Sequence, residues 1–72
     1  MIILDQDENV FYDLDKMTSV FATEEGEVHV LGYTCDTAFI LGKYKSHERA
    51  QEIVREIFAL YSVESKYTMP IV

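Results

Sequence analysis

A chain of 72 residues makes one domain, so residues 1–72 are read as a single unit. A hydrophobic share of 49% with 26% charged residues describes a folding sequence and not a disordered tail. Six Lys and Arg against thirteen Asp and Glu leave a formal charge of −7. That balance argues against general nucleic-acid binding, which needs clustered positive charge, and against attraction to an anionic membrane surface.

One cysteine excludes an intrachain disulfide framework and a thiolate metal cage. No apolar run approaches the ~18 residues of a membrane span. No basic stretch precedes an apolar one at the N-terminus, so no secretory signal is read and a cytoplasmic location is expected. A domain near this size buries only about 60% of the surface its unfolded chain exposes. Nine aromatic residues, five Tyr and four Phe, are more than a short helix and a small sheet hide. A homo-oligomer is therefore expected.

In chain order, Met1-Ile2-Ile3-Leu4 reads as a strand ended by the polar turn Asp5–Asn9. Val10-Phe11-Tyr12 is β-prone and gives way to a polar turn at Asp13-Leu14-Asp15. Ser19–Thr23 is a strand, and Gly26 supplies the positive φ of a hairpin turn into the next strand, Val28–Thr34. In that strand Val28, Val30 and Gly32 share one face, and His29, Leu31 and Tyr33 the other. A second tight turn at Cys35-Asp36 leads to Thr37–Leu41. Ser46 then caps a helix whose stripe is Ala50, Ile53, Val54, Ile57, Phe58 and Tyr61. Lys66–Met69 adds an edge strand before Pro70. The fold expected is α+β: a small antiparallel β-sheet of three to five strands, with one C-terminal α-helix packed on one face.

Signals for catalysis or metal binding are weak. Asp5, Asp7 and Asn9 imitate the opening of a calcium loop, but Val10 and Lys16 stand where Gly and Glu are required. Cys35, His29 and His47 have no spacing that supplies a nucleophile, a base and an orienting acid. The chain is read as having no catalytic residue, no metal site and no cofactor. Eight acidic residues precede residue 28, from Asp5 to Glu27, and make an acidic N-terminal half suited to a basic protein partner. Base gathers elsewhere. Lys43, Lys45 and Arg49 bracket Ser46 and His47 at the helix start, where free N–H groups and the helix dipole favour an anion. With Tyr33 and Tyr44 as stacking rings, these residues are the candidate ligand-binding set.

The segment LGKYKSHERAQEIVREI (residues 41–57) resembles an LG-x-Y-x-[ST]-x-ERA-x-E-[VI]-[LV]-x-EI stretch in small phage and prophage proteins of Gram-positive bacteria. The opening MIILDQD is similar to their MII-x-x-QD start, and Tyr67-Thr68-Met69-Pro70 to their Y-x-MP end. The ending Ile71-Val72 departs from their usual acidic tail. The resemblance implies a phage or prophage accessory protein and no particular activity; small accessory proteins of this kind often inhibit host antiviral defence. The function expected first is non-catalytic capture of an anionic cyclic nucleotide signal by a homo-oligomer. The alternative is an acidic inhibitor or nucleic-acid mimic bound to a host defence protein, and a further one is a structural or regulatory subunit.

Overall fold

The computed structural model describes residues 1–32 and 37–72. The expected turn at Cys35-Asp36 and the strand residues Tyr33 and Thr34 lie outside the described residues. Among the described residues, six strands and one α-helix follow in the order β1 (Ile2–Leu4), β2 (Phe11–Asp13), β3 (Met17–Ala22), β4 (Glu27–Gly32), β5 (Ala38–Lys43), α1 (His47–Leu60) and β6 (Lys66–Thr68). The fold is α+β, and its strands divide between two three-stranded sheets instead of filling one. The first is ordered β2-β1-β6 and the second β3-β4-β5.

The division has a local cause. Asp13 Oδ1 accepts the Asp15 amide at 3.1 Å and caps a single 3-10 turn, Leu14–Lys16, which redirects the chain between β2 and β3. The second sheet is an antiparallel meander, as its short Gly26 turn requires. The first takes its third strand from the far end of the chain. There β6 pairs parallel to β1, with Ile3 opposite Tyr67. A parallel pair needs a long crossover, and the whole meander plus the helix provides it.

Burial follows the periodicities. In β4, Val28 and Val30 are fully buried, while His29 and Leu31 on the opposite face are half-buried. Ser46 is the N-cap of α1, its Oγ accepting the Arg49 amide at 3.1 Å. Ala50, Ile53 and Ile57 are buried against β3 and β4. Phe58 does not join that core, contrary to the expected stripe: it is 85% exposed. A stripe of six positions is wider than the sheet can cover, so Val54, Phe58 and Tyr61 form its flank.

Gln6 fastens the two sheets together. Its amide N–H donates to Leu41 O at 2.8 Å. Its side chain accepts the Lys43 amide at 2.8 Å and donates to Lys43 O at 3.1 Å. The side-chain amide thus pairs with the edge of β5 as another strand would. The same Nε2 also reaches Ile71 O at 2.7 Å and Pro70 O at 3.3 Å, which brings in the C-terminal segment. Gly26, at φ +95°, lies so close to the β5–α1 link that a Cβ would stand 2.8 Å from Tyr44 O. Only glycine suits both the angle and the approach.

Candidate functional site

The helix start brings six of the seven candidate residues into one short segment, and most of their polar groups serve the fold. Ser46 Oγ caps α1. His47 Nδ1 donates to Thr23 O at 2.8 Å and holds the β3–β4 turn against the helix. Arg49 donates through Nη2 and Nε to Val72 O at 2.9 and 3.3 Å, and through Nη1 to Glu52 at 3.2 Å. Two cations are left facing solvent. Lys45 is exposed, and Lys43, 69% exposed, has its Nζ 3.9 Å from Glu27 Oε2.

Tyr44 is not a stacking platform. It is a core residue whose hydroxyl donates to Pro70 O at 2.7 Å. Its ring lies over Gly42, where an added Cβ would meet the hydroxyl oxygen at 2.6 Å. Burial pushes that hydroxyl up to about 12. The correction has a tertiary cause: the Lys43-Tyr44-Lys45 run looks solvated locally, but a glycine gap and a segment from the far end of the chain enclose the ring. Tyr33 and Cys35 lie outside the described residues.

The other singled-out groups also have structural partners. His29 Nε2 donates to Glu27 at 2.7 Å, and its ring lies 5.4 Å from that of Phe21. Asp5 Oδ1 accepts the amides of Asn9 and Val10 at 3.0 and 3.4 Å and so shapes the β1–β2 turn. Tyr67 donates to Glu56 at 2.5 Å, and burial with that carboxylate raises its hydroxyl well above the usual tyrosine value. Tyr61 donates to Asp15, a bond that lowers the Asp15 carboxyl and raises the Tyr61 hydroxyl. Among the described residues, no three His, Cys, Asp or Glu side chains gather to hold a metal ion. No helix among them is long and apolar enough to cross a membrane.

One apolar concavity among the described residues was not anticipated from the sequence. A groove of about 410 Å³ runs between the second half of α1 and β3. Val54, Phe58 and Tyr61 form one wall, and Leu14 and Val20 the other. The signal was present in the chain: Val54, Phe58 and Tyr61 recur at i, i+4 and i+7, a second apolar stripe beside the core one. Comparisons with protein-family models, with characterised proteins and with solved structures find no match in any of the three.

Proposed function

We propose that this domain is a non-catalytic binding protein whose main partner is another protein, docked in the groove between α1 and β3. The observation that carries the reading is Phe58, held 85% exposed on the wall of an apolar groove. Covering such a side chain is worth roughly 1.5–3 kcal/mol, and clustered aromatic anchors dominate protein interfaces. The acidic N-terminal half adds attraction for a basic partner. Within the phage-type accessory role that the sequence resemblance implies, that partner is a host defence protein. The test is capture from a Gram-positive host lysate with the wild type, Phe58→Asp and the remote control Phe11→Asp. A protein retained by the wild type and the control, and lost with Phe58→Asp, supports the reading. A captured set that Phe58→Asp leaves unchanged overturns it.

A second reading, capture of an anionic cyclic nucleotide, is favoured by Lys43 and Lys45, which remain exposed just before the helix start. Thermal denaturation with cyclic dinucleotides and cyclic ADP-ribose isomers tests it. Ligand at a hundredfold excess over Kd adds about 2.7 kcal/mol, a shift of many degrees in a domain this small. The shift is expected to vanish in Lys43→Glu/Lys45→Glu. No shift with any of these ligands overturns the reading.

A further inference from the structure

The four outer strands of the two sheets are not equally protected. β2 and β6 are three residues long, and each includes a charged residue, Asp13 and Lys66. β5 is engaged at Leu41 and Lys43 by Gln6. The remaining edge, β3, is six residues long, Met-Thr-Ser-Val-Phe-Ala, with neither a charge nor a proline. Folds normally blunt such an edge with charge, proline, a bulge or a cover, because its free N–H and C=O groups are a template for a further strand. Among the described residues, the one such device in β3 is a bulge between Met17 and Ser19, near one end, and it leaves Ser19–Ala22 in regular register with β4.

The hydrogen-bond phase shows which groups are free. Thr23 donates to Glu27 O at 2.8 Å, so that pair is of the hydrogen-bonded kind. Antiparallel pairs alternate, so Phe21 opposite His29 is bonded to β4. Val20 and Ala22, opposite Val30 and Val28, direct their N–H and C=O groups away from the sheet.

We infer that β3 pairs antiparallel with β3 of a second copy, about a twofold axis through Val20, joining the two meanders into one six-stranded sheet. The occupant follows from symmetry and charge. A twofold normal to the sheet keeps each side chain on its own face only if a residue meets its own counterpart. Val20 meets that condition with both of its backbone groups free. The flanks are self-complementary: Lys16 precedes β3 and Glu24-Glu25 follow it, all exposed. Antiparallel pairing therefore sets each copy's Lys16 end against the other's Glu24-Glu25 end, twice. Asp15 also lies near that acidic pair, and its charge is already met by the Tyr61 hydroxyl and the Met1 amino group. An extended foreign peptide would use the same backbone groups, but nothing fixes its flanking charges. This pairing does not rest on the proposed groove partner, although Val20 belongs to both surfaces.

Sedimentation equilibrium of the full chain tests it, with Lys16→Glu, Glu24→Lys and the double exchange. The wild type is expected in monomer–dimer equilibrium, each single variant with a Kd about tenfold weaker, and the double exchange restored. Both substituted positions are exposed, and circular dichroism verifies that the variants fold. A wild type that stays monomeric at its highest soluble concentration overturns the inference. So does a dimer that is indifferent to the single exchanges. A second measurement needs no variant: the Val20 and Ala22 amides are expected to exchange with deuterium more slowly as wild-type concentration rises. Exchange rates independent of concentration also overturn the pairing.

Discussion

Replacing Gln6 by alanine separates the strand-like role of its side chain from simple solvation. Three carbonyls crowd two amide hydrogens, at 2.7, 3.1 and 3.3 Å, and the carbonyl oxygen takes the Lys43 amide at 2.8 Å. That amounts to three full hydrogen bonds, each worth about 1 kcal/mol net. Lys43 and Ile71 are exposed, so water recovers part of the loss when the side chain goes. The expected cost is about 2 kcal/mol, or a fall in Tm of about 8–16 °C for a domain of this length. Thermal and urea unfolding give the free energy, and hydrogen exchange locates it: the Lys43 amide should lose protection while the Val28 and Val30 amides keep theirs. Gln6→Glu is the sharper companion. It keeps an acceptor for the Lys43 amide but sets a carboxylate against three carbonyl oxygens, so it should be less stable than Gln6→Ala. The reasoning is refuted if Gln6→Ala lies within about 0.5 kcal/mol of the wild type, or if the glutamate variant is the more stable of the two.

Two further outcomes are expected. Tyr44→Phe removes one hydrogen bond and should cost about 1 kcal/mol at neutral pH. It should also flatten the alkaline limb of the stability curve. An unfolded tyrosine loses its proton near 10, while the folded Tyr44 holds it to about 12. The fold therefore favours the neutral phenol, and that contribution is complete below the unfolded value and lost as pH rises through the folded one. Urea midpoints measured from neutral pH upward should fall less steeply in Tyr44→Phe, and an identical slope would exclude the assignment. Ser46→Ala should cost about 1 kcal/mol through loss of the helix cap, whether or not any nucleotide is present. Unchanged stability in calorimetry would contradict the capping role.

What the sequence revealed and what it hid divide along one physical line. Ser46, the Ala50-Ile53-Ile57 stripe and the alternation of Val28 and Val30 were legible because each is a local pattern with a period of 3.6 or 2. The burial of Tyr44 was not, because its cover comes from Gly42 on one side and Pro70 on the other. The candidate ligand set suffered for the same reason. Ser46, His47 and Arg49 have the chemistry of an anion cradle, but their hydrogen bonds to Arg49 N, Thr23 O and Val72 O spend it on the fold. The resemblance motifs fall on the same architecture. Ile3, Gln6, Leu41, Tyr44, Met69 and Pro70 are buried or are the partners that hold the buried ones. Those positions therefore serve this fold more directly than they serve a ligand site.

The parallel pairing of β1 with β6 sets the order of events in folding. β1 lies between its two neighbours, yet one of them, β6, emerges from synthesis long after it. Gln6 and Pro70, joined by a hydrogen bond, stand 64 positions apart. The strands of the meander are neighbours in sequence and can pair early, whereas closing β1 onto β6 carries the entropy of a loop nearly as long as the chain. Until residue 66 arrives, Ile2, Ile3 and Leu4 have only the three-residue strand β2 to pair with. A nascent chain halted short of that point therefore holds β1 paired on one side only.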